Sequence, residues 1–183
     1  MTSPSSFLLA FAGCVFFALP SVSKGEVLHG RIVGVADGDT VTLLDANNVQ
    51  HKIRLQGIDA PEKNQPYGSA SKRRLSDLVF GRTVGAACSK TDRYRRLICR
   101  IDVNGVDVNL AMITAGMAWH YKAYEMEQTS TERTAYVLAE EQARLARTGL
   151  WLDHSPTPPW GFRKAKREAD MLKRMSKGAG KPQ

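Results

Sequence analysis

Early in the chain, apolar and polar positions alternate over short runs that acidic and small residues interrupt. Ile32, Val33 and Val35 lead to a turn at Asp37-Gly38, and Val41, Leu43 and Leu44 lead to a polar turn at Asp45 to Asn48. Val49, Ile53, Leu55 and Ile58 form a third run. Short β-prone runs bounded by Asp-Gly and Asn-Asn predict a three-stranded meander. The period then changes. After Tyr67-Gly68, Leu75, Leu78 and Val79 share one helical face, and Gly81 ends that helix. Residues 83–89 and 96–103 read as a second hairpin, and residues 107–116 as a short helix with Leu110 and Ile113 inward. The longest helix falls within residues 129–151. Thr129 and Glu132 can form its capping box, Tyr136, Ala139, Ala143 and Ala146 its apolar stripe, and Gly149 its C-terminal cap.

Three strands, a helix, two strands and then helices predict an α+β protein built on a small closed barrel. The order is compatible with an OB-fold, whose five strands form a partly open barrel. A length of 183 residues suits one domain with appendages. The segment His-Ser-Pro-Thr-Pro-Pro-Trp from His154 cannot continue a helix. The domain is therefore read as residues 24–153, and residues 154–183 as a Pro/Trp segment and basic tail. Residues 7–20 form an apolar run shorter than the roughly 20 residues a membrane span needs. Small residues and a lysine follow it. Residues 1–23 are read as a signal peptide cleaved near Ser23, which predicts a secreted or periplasmic protein. A membrane anchor formed by the same segment is the alternative.

Charge adds a partner class. The formal net charge is +8, and eight basic against two acidic residues from Arg163 onward contribute +6 of it. A basic tail suits polyanions such as nucleic acid, acidic lipid or cell-wall polymer. A solvated tail that only aids solubility is the bland alternative. Export would also leave two cysteines, Cys88 and Cys99, in an oxidising compartment. They lie equally far from the hairpin centre between Arg93 and Tyr94, so pairing about that centre sets them opposite each other and predicts a disulfide. Two buried free thiols are the alternative.

Candidate chemistry gathers at strand ends. Asp39 in Asp-Gly-Asp-Thr could simply shape a turn. Asp59, after the third run, can share a barrel rim with it. Two converging carboxylates repel unless a positive group lies between them, and a hard cation such as calcium, bound by oxygen ligands, meets that need. His29, His51, His120 and His154 are scattered and form no zinc spacing. Glu62, stiffened by Pro61, can accept a proton. Arg54 precedes Asp59 by five positions, and its planar fork matches phosphate oxygens. A surface Arg54–Glu62 ion pair is the bland alternative. Arg93, Arg95 and Arg96 surround Tyr94 at the hairpin bend, offering a second guanidinium and a ring for a nucleotide base. Acids for a cation and a water, with arginines for a phosphate, are the parts that phosphodiester hydrolysis needs.

With these motifs assembled, residues 30–151 resemble the thermonuclease, or staphylococcal nuclease-like, family. The resemblance rests on DGDTV, RLQGIDAPE, DRYRR, VNLAMITAGMAW and AEEQARLARTGLW, while PPWGFRKAKR is similar to the tail of its secreted bacterial branch. It implies an OB-fold barrel with three helices and a calcium-dependent endonuclease acting on DNA and RNA that leaves 3′-phosphate ends. It assigns Asp39 and Asp59 as metal-binding carboxylates and Ala60 as a backbone carbonyl ligand. It assigns Arg54, Glu62 and Arg96 as catalytic, and Arg93, Tyr94, Tyr121 and Tyr124 as substrate-binding. The family usually reads Tyr-Gly-Arg where this chain has Tyr94-Arg95-Arg96. If that position is left-handed, Arg95 costs about 1–2 kcal/mol there. A non-catalytic nucleic-acid-binding OB-fold protein is the rival reading, and it has no need of all five charged residues. No stable protein partner is implied, and a monomer is expected.

Overall fold

A computed structural model describes residues 27–178. The signal-peptide reading of residues 1–23 lies outside them. Five long strands build the barrel: β1 (Val27–Val35), β2 (Thr40–Asp45), β3 (Gln50–Leu55), β5 (Thr83–Thr91) and β6 (Leu97–Val103). One short strand interrupts this series, β4 (Ile58–Asp59), and two follow it, β7 (Val106–Asp107) and β8 (Trp119–His120). The sheet runs β3-β2-β1-β5-β6-β7, and parallel pairing of β3 with β6 closes it. Inward alternation supplies the core: Ile32, Val41, Leu43, Ile53, Leu55, Val84, Ala86 and Ile101 are all buried. The fold is thus the expected OB-type α+β barrel.

The third apolar run is not one strand. It breaks after Leu55 at Gly57, whose φ is +73, and a Cβ there would lie 2.5 Å from Gln128 Nε2. Ile58 and Asp59 leave the barrel and pair with His120 and Trp119. The side chain of Asp59 thereby enters the rim from a different sheet than Arg54.

Helix α1 (Gly68–Val79) lays Leu75 and Val79 on the barrel. Helix α2 (Val108–Thr114) is capped by Asp107, which accepts from the Leu110 N–H. Helix α3 (Ser130–Leu145) carries the Thr129–Glu132 capping box and buries Tyr136, Ala139, Glu140 and Ala143. Ala146 instead caps α3 and is exposed, because the helix has ended. The left-handed residue directly after the cap is Arg147, φ 51, and Gly149 opens a separate 3-10 turn.

A fourth helix, α4 (Pro159–Gly178), occupies the segment read from sequence as a tail. Proline at the first helical position loses no hydrogen bond, so the Pro-Pro pair starts this helix rather than preventing it. Trp160 docks α4. Its ring stacks on Tyr121 at 5.6 Å and meets Trp119 edge-on at 5.5 Å. Trp119 in turn packs with Ala143, Leu150 and Trp151 in a second small core. Cys88 faces Cys99 across β5 and β6, and the two are bonded, with Cα atoms 4.0 Å apart. Toward the bend the ladder slips at a bulge, so Lys90 faces Ile98.

Candidate active site

The turn between β1 and β2 aims Asp39 at the rim. The Asp39 N–H donates to Asp37 Oδ1 at 3.1 Å. Gly38 at its centre has no room for a Cβ, which would meet Ser71 and lie 2.7 Å from Ala60 Cβ. In the ladder Thr40 faces Arg54, which sets the arginine beside Asp39. Arg54 Nη1 donates to Asp39 Oδ2 at 2.8 Å, and Nη2 donates to Asp59 Oδ1 at 2.9 Å. Asp39 also receives the Ala60 N–H at 3.1 Å and the Thr40 hydroxyl at 3.0 Å. Ala60 is buried, and because its side chain is a methyl group, any ligand it offers comes from its main chain.

Glu62 does not pair with Arg54. Its partner is Arg163 on α4, whose Nη1 donates to Glu62 Oε1 at 2.8 Å. Arg163 also donates to both oxygens of Asp59, at 3.1 and 2.7 Å. The segment read as a tail therefore reaches into the site. Arg163 was missed from sequence, and one signal for it existed: Trp160 and Arg163 stand three apart after a helix-starting proline, on one helix face.

Arg96 lies at the edge. Its Nη1 donates to Thr40 Oγ1 at 3.4 Å, and its Nε donates to Asp92 Oδ2 at 2.9 Å. Asp92 Oδ1 also accepts the main-chain N–H groups of Tyr94 and Arg96, both at 2.9 Å. Burial opposes the Asp92 charge, but these Arg96 and Tyr94 donors outweigh it and hold its carboxyl below the usual range. Arg95 between them has φ 63, the left-handed conformation. Tyr94 is 63% exposed, with Arg93 and Arg96 over its ring at 4.9 and 5.5 Å. Tyr121 and Tyr124 meet edge-on at 5.3 Å on the α4 side. Among the described residues no hydrogen bond joins either to the carboxylates; Tyr121 connects to them through Trp160 and α4.

Charge is unevenly balanced here. Burial, then the neighbouring Asp39 charge, pushes the Asp37 carboxyl up to about 6. Burial likewise raises Asp59, against the pull of Arg163 and Arg54. Burial disfavours the Arg54 charge, but Asp39 and Asp59 outweigh it and raise its pKa. Arg163 behaves alike, with Asp59 and Glu62 as its acids. Three carboxylates, of Asp39, Asp59 and Glu62, thus meet two guanidinium groups, and a fourth, of Asp37, lies beside Asp39. Among the described residues no three acidic, histidine or cysteine side chains stand ready as a ligand set. The donor chemistry nevertheless fits a hard cation. Every candidate donor is oxygen, and the Asp37–Asp39 repulsion is negative charge that such an ion would relieve. Asp37 is a second residue missed from sequence, where it reads only as half of a turn.

A closed five-stranded barrel with acids and arginines on one rim defines an OB-fold protein with a charged site at the barrel rim. Comparison with known proteins sharpens this. Residues 52–153 match the family model for staphylococcal nuclease homologues. The chain is 38% identical over 150 residues to an uncharacterized endonuclease of Haemophilus influenzae, covering 82% of this chain and 81% of that protein. It is 33% identical over 178 residues to a micrococcal nuclease of Shigella flexneri, covering 92% and 99%. The chain belongs to the staphylococcal nuclease-like family, and its class is that of nucleases, hydrolases of phosphodiester bonds.

Proposed function

We propose that the protein is a calcium-dependent endonuclease of DNA and RNA, leaving 3′-phosphate ends. The observation that supports this most is the Asp39–Arg54–Asp59 bridge with Glu62 beside it. Asp39, Asp59 and the Ala60 carbonyl would hold the cation, with Asp37 close behind Asp39. The ion, when bound, neutralises charge on the phosphate oxygens. Arg54 and Arg96 turn from their acids to the non-bridging oxygens, where charge builds as water adds. Glu62 orients that water and accepts its proton. The water oxygen bonds to phosphorus, and the bond to the 5′ oxygen breaks. That oxygen leaves with a solvent proton, and the phosphate remains on the 3′ oxygen. Arg93 and Tyr94 contact a terminal phosphate, and Tyr121 and Tyr124 contact the bound nucleotide.

A non-catalytic nucleic-acid-binding barrel is less well supported, since binding alone needs no buried acid pair. The test is digestion of plasmid DNA and of RNA, in calcium and in chelator, with end-group analysis. Cleavage in calcium alone, with 3′-phosphate ends, is the expected outcome; intact substrate in both would refute the proposal. Export with removal of residues 1–23 fits the Cys88–Cys99 bond. The N-terminal sequence of protein recovered from the source cells tests it, and a chain still beginning at Met1 argues for the anchor.

A further inference from the structure

Asp59 is fully buried, and both its oxygens are occupied. Oδ1 accepts from Arg54 at 2.9 Å and from Arg163 at 3.1 Å, and Oδ2 accepts from Arg163 at 2.7 Å. A carboxylate offers about four lone-pair sites, so one remains. The two arginines differ in how they are held. Arg54 belongs to a ladder, facing Thr40 on one side and Ile98 on the other. Arg163 arrives on the first turns of α4, and its side chain is 33% exposed. Among the described residues α4 is anchored at its start, by Trp160 against Tyr121 and Trp119 and by Gln65 Nε2 donating to the Thr157 carbonyl at 2.6 Å. From Lys164 to Ser176 every side chain is exposed.

We propose that Arg163 is a tethered competitor for the divalent cation. Its guanidinium holds Asp59 and Glu62 while no ion is bound, and the ion and Arg163 exclude each other from Asp59. The proposal rests on the cation reading above. A calcium ion needs six to eight oxygen ligands at about 2.3–2.6 Å and therefore needs the lone pairs of Asp59. Two positive centres on one buried carboxylate repel with little screening. Linkage makes the competition reciprocal: the ion loosens Arg163 by the factor by which Arg163 weakens the ion. The arginine thereby sets the cation concentration at which the site assembles.

The test is calorimetric calcium binding to the full chain without nucleic acid, for the native protein, Arg163→Gln and Trp160→Ala. Glutamine removes the charge and keeps an amide donor on a side chain two bonds shorter than the Nη atoms it replaces. Arg163→Gln should bind calcium more tightly, within the range usual for coupled sites, about 5- to 150-fold. Trp160→Ala releases the helix but keeps the arginine, so it should shift affinity the same way by less. A purely structural Arg163 gives the opposite sign, because Asp59 and Glu62 lose their orientation. Equal or weaker binding by Arg163→Gln therefore overturns the proposal. Should that variant not fold, Trp160→Ala decides by the same sign. Calcium bound only by the variants supports the competition at its strongest. Calcium bound by neither the native protein nor the variants overturns the cation reading and this proposal with it.

Discussion

Arg54 and Arg163 grip the same carboxylate, Asp59, and reach it by different routes. Arg54 stands in β3 between two paired strands, 16% exposed, with Asp39 on one side and Asp59 on the other. Arg163 stands on α4, twice as exposed, and that helix is docked through the two aromatic contacts of Trp160 and one loop hydrogen bond. The first belongs to the barrel and the second leans on it. An arginine set by a ladder has little freedom to move, and an arginine on a lightly docked helix has more.

The comparison breaks most visibly at Arg54. Arg54→Ala leaves two buried carboxylates facing each other. Removing one partner of a buried ion pair typically costs about 3–5 kcal/mol. Turnover should also fall by about 10²–10³, the usual loss for one charge-stabilising donor. Urea denaturation and initial rates in calcium measure the two losses. Arg163→Ala should cost less, about 1–3 kcal/mol, since Asp59 loses donors but keeps Arg54. Equal destabilisation by the two substitutions would erase the distinction between them.

How far each arginine could be read from sequence follows the same division. Arg54 and Asp39 were legible because strand alternation and a Gly-centred turn are local signals, and Thr40 facing Arg54 is a direct consequence of that hairpin. Asp59 was recognised, but its strand was not, because the break at Gly57 depends on Gln128 and Tyr136 lying against it. Arg163 was overlooked for a different reason, although its spacing from Trp160 after a proline was a signal. His154 to Pro159 looks like a terminator, and only the long-range Trp160–Tyr121 stack turns it into the start of a docked helix. Asp37 was hidden by its own plausibility as a turn residue, and its distinctive property, repulsion from Asp39, exists only in the folded rim.

That repulsion sharpens the contrast by pH. Asp37 rises from 3.8 to about 6 on folding. The folded protein thus holds the proton more tightly than the unfolded chain does. The associated stability is complete below about pH 4 and is lost as pH rises through about 6. A tenfold gain in proton affinity on folding is worth about 1.4 kcal/mol, and partial exposure reduces the whole effect to about 1–2 kcal/mol. In chelating buffer, Asp37→Asn should show a flatter fall in stability than the native protein between about pH 4 and 6. Calcium should shrink the difference, because the ion replaces the proton. Identical profiles for the two proteins would mean that the rim carries no unrelieved charge at Asp37.

The smallest expected effect concerns the hairpin, the third way this site holds an arginine. Arg96 is fixed neither by a two-sided ladder nor by a docked helix, but by Asp92, which accepts from its Nε and its main-chain N–H. The adjoining Arg95 sits at φ 63, where a side chain costs about 1–2 kcal/mol. Glycine removes that cost but adds unfolded-state freedom worth about 0.5–1 kcal/mol. Arg95→Gly should therefore stabilise the protein by between about 0 and 1.5 kcal/mol. Turnover should stay near the native rate, because the Asp92 contacts to Arg96 do not pass through the Arg95 side chain. Thermal melts and initial rates at saturating substrate check both statements. A loss of rate well beyond twofold would show that Arg95 itself aims Arg96, and that the bend, like α4, contributes more to the site than its surface position suggests.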